Sequence, residues 1–358
     1  MNVNISNAVE LDLDQATNLI RHLGNKRSVI LEGDIGNGKT SVGKSLADIT
    51  GYKLFTFDCT TKGIGDMQLP MISTIENGVA RFVPNEELGL HLDEPIILNF
   101  DECGKANKSM KDAMLAVLLE RRLGRKHLHA DSLIFGTTNL AEEGIGDLIK
   151  AHHGNRVVLI KVKKSTSEQW RAWAMLNDID PVVINFAKEF PEVFQSFQQV
   201  ANYEDNPYIF HPQAERVSFV TPRSLHAASD IVKLRSVLSG VEVEAALAGT
   251  IGEAAKDSMM AYIQMADQLP TLESIRNAPS TAVVPTNSSA ICMVVYKAIQ
   301  TVDRDWADAW LTYFVRLNKE AQALFANGVL HKDHPQRNYF VTKAKFTEWC
   351  HTNNYLNL

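Results

Sequence analysis

The chain has 358 residues, of which 45% are hydrophobic and 22% charged, and its formal net charge is −6. This is the balance of an ordinary globular protein with room for two or three domains. The apolar runs are too short to span a membrane, and the acidic charge argues against non-specific binding to nucleic acid. The four cysteines are scattered without metal-ligand spacing, and no secretory signal is visible, so we expect a cytoplasmic protein with reduced thiols.

The first part of the chain, to about residue 164, alternates helix and strand patterns. Residues 11–23 have an amphipathic helical pattern. Further helices are predicted over 41–49 and 109–122, and strands over 28–32, 53–57, 96–100, 132–138 and 157–162. Strands that alternate with helices predict an α/β fold with a mostly parallel sheet covered on both faces.

One segment interrupts this alternation. Residues 71–76 and 79–83 have strand patterns, and they flank Asn77-Gly78, which is a strong signal for a two-residue type I′ turn. The sequence therefore predicts a β-hairpin inserted into the α/β core.

From residue 165 onward the pattern becomes helical. Helical spacing predicts helices over 167–177, 181–190, 221–238 and 241–268, and residues 278–289 have the composition of a linker. Beyond the linker an aromatic and apolar stripe follows helical spacing; its members are Trp306, Trp310, Tyr313, Phe314 and Leu317. Such a stripe is more often core than a surface for a partner.

The residues after the first strand form a phosphate-binding loop pattern. Gly33 to Thr40 read Gly, four residues, Gly-Lys-Thr, between a predicted strand and a predicted helix start. Glycines let successive backbone N–H groups face one anion, and the helix N-terminus adds partial positive charge. Lys39 can reach the β- and γ-phosphates and Thr40 can ligate Mg²⁺. We expect the nucleotide to be bound by Gly33, Asp34, Ile35, Gly36, Asn37, Gly38, Lys39, Thr40 and Ser41.

Hydrolysis needs a metal ligand and a base in addition to this loop. Asp101 and Glu102 follow the apolar strand 96–100, at the edge where a parallel sheet places its sites. Asp101 can hold Mg²⁺, directly or through water, and Glu102 can polarise the attacking water. The alternative is an ordinary solvated strand end.

Three further side chains suit phosphoryl transfer. Asn139 ends the fourth strand, where its amide can bind the attacking water or the γ-phosphate, although Asn is also a common turn residue. Arg156 precedes the fifth strand, and Arg223 follows Thr221-Pro222 at a helix start. An arginine can stabilise the charge that gathers on the γ-oxygens, but taken alone either arginine would more often be a surface residue.

The order of these motifs resembles that of the AAA+ ATPases. There the phosphate loop is Walker A, Asp101-Glu102 corresponds to Walker B, Asn139 to sensor 1, Arg156 to the arginine finger and Arg223 to sensor 2. The hairpin resembles the helix-2 insert of the MoxR and dynein-related branch. Asn155-Arg156-Val157 also resembles that branch, whereas Asp66-Met67-Gln68-Leu69 lacks the glycine usual before the insert.

The resemblance covers residues 10 to 270 and implies an architecture and an assembly. It implies an AAA+ domain over 1–164 and a helical lid over 165–277. The helical pattern predicts a C-terminal extension over 278–358, to which no motif can be assigned. The resemblance implies a homo-oligomeric ring, usually a hexamer, with ATP and Mg²⁺ between subunits. Arg156 would then act on the neighbour's nucleotide, and Arg223 would sense nucleotide in its own or the adjacent subunit.

Two other groups of residues invite different interpretations. His127, His129 and His152-His153 lack nearby carboxylates or cysteines at ligand spacing, so we expect no metal there. A basic cluster over 121–126 is more typical of a solvated or pore-facing surface than of a nucleic-acid site.

These observations leave three functions open. The preferred hypothesis is a MoxR-type ring ATPase that remodels or activates a client protein, with a von Willebrand factor A-domain protein as a partner common in that branch. The second is a DNA-acting AAA+ motor or loader, which the basic cluster favours and the acidic charge opposes. The third is a nucleotide-gated scaffold with little turnover, against which Glu102 argues.

Overall fold

The computed structural model of the chain describes residues 9–72, 80–139, 156–353 and 355. The chain divides into two compact units, Met1–Ser165 and Thr166–Leu358. The first unit is mixed α/β, and in the described residues of the second unit the regular elements are helices joined by turns and loops.

The first unit alternates strands and helices as the sequence predicts. The α-helices among its described residues are α1 (Leu13–Leu23), α2 (Ser41–Thr50) and α3 (Lys108–Glu120). Its strands are β1 (Val29–Gly33), β2 (Lys53–Asp58), β3 (Gln68–Ile72), β4 (Ala80–Pro84), β5 (Ile96–Asp101), β6 (Arg122–Leu123), β7 (Lys126–His127), β8 (Leu133–Asn139) and β9 (Val158–Lys161).

Five of these strands form one parallel sheet in the order β2-β5-β8-β1-β9. The α/β prediction with a parallel sheet is therefore confirmed. The register places Gly33 beside Asn139 and Asp58 beside Asp101. Because parallel strands end at the same edge, the ends of β1, β5 and β8 meet where the phosphate loop begins.

Apolar side chains cover both faces of this sheet. On one face Val29, Leu31 and Phe135 pack with residues of α1 and α2, and on the other Leu98, Phe100 and Ile134 pack with residues of α3. Burial on both faces explains why the strands are nearly continuous hydrophobic runs. The rigid sheet holds the polar residues at its carboxyl edge in fixed positions.

The predicted hairpin is observed in part. β3 and β4 pair antiparallel, with Gln68 opposite Pro84 and Leu69 opposite Val83. Both strands begin or end a few residues from the predicted bounds, and the Asn77-Gly78 turn lies outside the described residues. If Asn77-Gly78 closed the hairpin as a two-residue turn, residue 76 would lie opposite residue 79, and an uninterrupted ladder would place residue 72 opposite residue 83. In the structure residue 72 lies opposite residue 80.

The second unit consists of helices around one shared core. They are α4 (Ser167–Leu176), α5 (Pro181–Glu189), α6 (Pro222–Lys233), α7 (Gly240–Ile251), α8 (Glu253–Ala266), α9 (Leu272–Asn277), α10 (Ser288–Thr301), α11 (Ala307–Phe314), α12 (Lys319–Leu330), α13 (Arg337–Thr342) and α14 (Ala344–Thr352). The stripe of Trp306 to Leu317 is buried and belongs to this core, as expected for a core stripe. The division of this unit into a lid and an extension stays a prediction.

Two helix predictions need correction. The helix expected over 221–238 ends at Lys233, and residues 234–238 form a turn before the next helix. The single helix expected over 241–268 is split into α7 and α8 at Gly252, which has φ +84°. A Cβ at this position would lie 2.7 Å from the Ser218 carbonyl oxygen. The left-handed conformation ends α7, because the helical N–H to C=O ladder cannot continue through it.

Candidate functional site

The phosphate loop joins β1 to α2 and has the shape its glycines allow. Gly36 and Gly38 have φ values of +69° and +82°, in the region that favours glycine. A Cβ at Gly33 would lie 2.8 Å from the Val162 carbonyl oxygen, so this position has no room for a side chain. α2 begins after Thr40 without a side-chain cap and without an acidic residue in its first turn. Its first N–H groups and its dipole therefore suit an anion.

The Lys39 side chain is buried, and its ammonium group reaches back to the first residues of the phosphate loop. Its Nζ donates to the carbonyl oxygens of Gly33 and Asp34, each at 2.8 Å, and to Oδ1 of Asn139 at 2.9 Å. The ammonium group is thus held between the phosphate loop and the end of β8.

Thr40 and Asp101 form an oxygen-rich pair beside the lysine. The Thr40 hydroxyl donates to Asp101 Oδ1 at 3.1 Å, and the Thr137 hydroxyl also donates to Asp101 Oδ1. A hydroxyl and a carboxylate are the oxygen ligands that Mg²⁺ prefers. The residues present therefore fit a magnesium ion.

Glu102 lies next to this pair and is oriented by Asn139. The Asn139 Nδ2 group donates to both carboxylate oxygens of Glu102 at 2.8 Å, and Lys105 Nζ lies 3.3 Å from Oε2. Glu102 has a left-handed backbone, with φ 51° and ψ 38°. This uncommon conformation for a non-glycine residue turns the chain sharply after β5.

Asn139 therefore connects the two halves of the cluster. Its Oδ1 accepts from the Lys39 ammonium, while its Nδ2 donates to the Glu102 carboxylate. The amide is 6% exposed, so these hydrogen bonds are largely shielded from water. Shielded, charge-assisted hydrogen bonds of this kind hold the lysine and the carboxylate in a fixed mutual position.

Several ionisable groups near the site have shifted pKa values. Burial raises the pKa of Glu32, although the positive charges of Lys161 and Lys39 act to lower it. Burial, with the nearby Asp58 and Asp101 charges, raises the pKa of the Cys59 thiol to about 12. Burial lowers the pKa of Lys164 to about 8, while the Asp34 charge acts in the opposite direction. The buried Cys59 thiol is therefore unreactive at neutral pH.

The two predicted arginines are not part of this cluster within the unit. Arg156 is exposed in a turn ahead of β9, at the amino end of the sheet. Lys161 lies opposite Glu32 at the carboxyl edge of the sheet. Arg156 precedes Lys161 by five residues, so at 3.3 Å per strand residue it lies about 16 Å from that edge. Arg223 is exposed in the second unit, in the first turn of α6 behind a capping box of Thr221 and Ser224.

The basic cluster over 121–126, for which the sequence leaves a nucleic-acid site open, makes local contacts with carboxylates. In the basic hairpin of β6 and β7, Arg122 pairs with Glu120, and Lys126 lies 3.3 Å from Asp93. Among the described residues no group of three or more His, Cys, Asp or Glu could hold a metal ion. His152-His153 lies outside those residues. No helix in the described ranges is long and apolar enough to cross a membrane.

The sequence interpretation missed two members of the cluster. Thr137 binds Asp101, and Lys105 pairs with Glu102. Thr137 has a signal in the sequence: it lies two residues before Asn139, so both point to the same face of β8. Lys105 has none, because its approach depends on the turn that the Glu102 backbone makes.

One family match gives the class of this domain. Residues 28–143 match the model described as "AAA domain (dynein-related subfamily)". The first unit therefore contains an AAA domain, a class of domain that binds nucleotide with ATP as its typical ligand. No curated protein matches the chain in sequence.

Several solved structures are similar to the chain at low identity. A closed-state Hsp104 structure with ATPyS and FITC casein is 17% identical over 43% of this chain and 32% of that chain, with a TM-score of 0.35. A point mutant of RuvB from Thermotoga maritima is 15% identical over 84% of this chain and 86% of that chain, with a TM-score of 0.40. NtrX from Brucella abortus is 13% identical over 96% and 68%, with a TM-score of 0.34. The match thus spans about a third of the Hsp104 chain, and the domain assignment rests on the family match alone.

Proposed function

We propose that the chain is a magnesium-dependent ATPase whose active site is the cluster at the carboxyl edge of the sheet. One observation carries the proposal: Asn139 joins the phosphate-loop lysine to the Glu102 carboxylate, with Thr40 and Asp101 alongside. A binding loop, a metal-ligand pair and a candidate base therefore lie within hydrogen-bond reach of one another. This is the set of groups that phosphoryl transfer to water requires.

Each side chain has a distinct role in this proposal. The loop amides and the Lys39 ammonium would bind the phosphates, and Thr40 with Asp101 would hold Mg²⁺. When bound, the metal ion supplies positive charge against the phosphate oxygens. Glu102 accepts a proton from the attacking water. Asn139 holds Glu102 in place and offers its amide to the same water.

The position of Arg156 supports a ring. It lies about 16 Å along the sheet from the phosphate-loop edge of its own unit, too far for a side chain to span. An arginine at that edge can serve a site only on another subunit. We therefore propose a homo-oligomeric ring, with a hexamer as the expected form, in which Arg156 acts on the neighbour's nucleotide. Arg223 is proposed as the sensor 2 residue.

The exposed hairpin supports a client protein over a nucleic acid. Leu69, Met71 and Phe82 are exposed on β3 and β4, and exposed apolar groups of this kind suit contact with protein. In the separate β6–β7 hairpin, two of the four cations of the basic cluster, Arg122 and Lys126, are paired with carboxylates, which weakens the case for DNA. We propose a MoxR-type, chaperone-like remodelling role in the cytoplasm, with a von Willebrand factor A-domain protein as the expected partner.

The test is ATP turnover with and without Mg²⁺, combined with the mass of the protein with and without ATP. We expect magnesium-dependent turnover and assembly with ATP. A monomer that neither assembles nor hydrolyses ATP would overturn the proposal. Assembly without turnover would favour the scaffold, and DNA-stimulated turnover that is lost at high salt would favour the DNA motor.

A mixing experiment tests the role of Arg156 in the ring. Arg156→Ala subunits should bind nucleotide yet fail to hydrolyse it, and Glu102→Gln subunits should fail as well. Mixed rings contain some interfaces with an intact arginine facing an intact glutamate, so mixing should restore part of the turnover. No recovery at any ratio would exclude action on the neighbouring subunit.

A further inference from the structure

The side chain of Asn37 is bonded to the segment that leads out of the first unit. Asn37 lies in the middle of the phosphate loop and is 1% exposed. Its Nδ2 donates to the Lys163 carbonyl oxygen at 3.0 Å, and its Oδ1 accepts from the Ser165 N–H at 3.1 Å. One buried amide therefore holds the backbone on both sides of Lys164.

The start of the phosphate loop is attached to the same segment. The Val162 N–H donates to the Glu32 carbonyl oxygen at 2.7 Å, and the Val162 carbonyl oxygen occupies the space beside Gly33. The backbone of residues 162–165 is thus bonded to the end of β1 at Val162 and to the phosphate loop at Lys163 and Ser165. A movement of the loop backbone at residue 33 or 37 therefore disturbs these contacts.

No unanchored residue separates this segment from the second unit. Ser165 is the last residue of the first unit, and Thr166 is the first residue of the second. Thr166 caps α4: its N–H donates to Gln169 Oε1 at 3.0 Å, and its hydroxyl accepts from the Gln169 N–H at 3.2 Å. Such a capping box fixes the backbone where the helix begins. The bonds of Asn37 therefore end one residue before a rigid helix start.

We propose that Asn37 is a positioning residue that transmits the state of the phosphate loop to residues 163–165, and through them to the start of α4. The proposal rests on nucleotide binding by this loop, as proposed above. Phosphate binding fixes the loop backbone, so the Asn37 bonds to Lys163 and Ser165 open less often. The segment then becomes more ordered when nucleotide is bound.

Hydrogen–deuterium exchange of the peptide covering residues 163–170 tests this, with and without the non-hydrolysable analogue AMP-PNP. The Ser165 amide exchanges only when its bond to Asn37 opens. In the wild-type chain we expect AMP-PNP to slow exchange in this peptide at least about threefold. Calorimetry on the same sample measures AMP-PNP binding independently.

Two variants remove the bonds from opposite sides. Asn37→Ala deletes both, and Ser165→Pro deletes the donating N–H while leaving every phosphate-loop residue unchanged. Because Ser165→Pro also lacks the amide at position 165, its exchange is compared with that of the wild type over the other amides of the peptide. Ser165→Pro should retain AMP-PNP affinity within about tenfold. At AMP-PNP concentrations that calorimetry shows to saturate each variant, both variants should lose the effect of AMP-PNP on exchange at 163–170. Asn206→Ala is the matched control, because Asn206 is a buried amide that bonds to Glu192, Gln195 and Tyr208 within the second unit. It should lose stability without losing the nucleotide effect.

The outcomes separate this inference from the proposed function. If the wild-type chain binds AMP-PNP but exchange at 163–170 does not change, the coupling is absent and the inference is wrong. It is equally wrong if both Asn37→Ala and Ser165→Pro keep the wild-type nucleotide effect. If the wild-type chain does not bind AMP-PNP at all, the proposed function fails and this inference fails with it.

Discussion

Replacing Asn139 by alanine tests whether the cluster is built for hydrolysis as well as for binding. The substitution removes three hydrogen bonds, one from Lys39 and two to Glu102. Neither charge is left alone, since Lys39 keeps its two carbonyl acceptors and Glu102 keeps Lys105. We therefore expect the free energy of unfolding to fall by only about 1–3 kcal/mol.

Hydrolysis should respond far more strongly than stability. Loss of one fixed polar group that orients a reacting water or a developing charge typically lowers turnover about 10²–10³-fold, or about 2.7–4 kcal/mol. ATP affinity should stay within about tenfold, because the phosphate-loop amides and Lys39 remain. Single-turnover hydrolysis and calorimetric binding of ATP measure the two effects separately.

A nearby asparagine provides the matched control. Asn99 is fully buried on β5, two residues before Asp101, and its amide has no hydrogen-bond partner among the described residues. Asn99→Ala should leave turnover within about threefold. Turnover of Asn139→Ala within that same range, or a loss of ATP affinity as large as that of Lys39→Ala, would contradict the proposed role of Asn139.

Three further predictions follow from named contacts. Lys39→Ala should abolish ATP binding in calorimetry, because it removes the positive charge that the β- and γ-phosphates require, while the chain remains folded by circular dichroism. Gly252→Ala should lower the free energy of unfolding by more than about 1 kcal/mol, since φ is +84° and a Cβ would meet the Ser218 carbonyl oxygen. Gly249→Ala is the control: there is open space around its Cβ position, so the substitution should raise the free energy of unfolding by about 0.5–1 kcal/mol. The folded pKa of Lys164 lies below its ordinary value, so at this side chain the unfolded chain binds more protons between pH about 8 and 10.5, and the contribution of Lys164 to stability should rise with pH across that window. The free energy of unfolding of the wild type minus that of Lys164→Met, measured with denaturant, should therefore rise across the window, and a difference that stays constant with pH would contradict the assignment.

The strand ends were predictable because they obey a local pattern and a general rule. Each buried run in the first unit is a strand within one or two residues of its prediction, and parallel strands place their carboxyl ends together. That rule alone brings Lys39, Asp101 and Asn139 to one edge. Thr137 could have been added from the two-residue period of β8.

The contacts that depend on backbone conformation could not be predicted. Glu102 is left-handed, and this turn brings Lys105 to its carboxylate. The Asn37 bonds join residues more than 120 positions apart, and no local pattern connects them. Gly252 occurs in a sequence with good helical spacing, and only its positive φ divides the predicted helix.

The most direct test of the account is single-turnover ATP hydrolysis by Glu102→Gln. The substitution keeps the size of the side chain and an oxygen that can accept from Asn139, but it removes the base. The account predicts that the variant binds Mg-ATP with near-wild-type affinity and hydrolyses it about 10²–10⁴-fold more slowly. Hydrolysis at the wild-type rate would contradict the assignment of Glu102 as the base and with it the proposed active site.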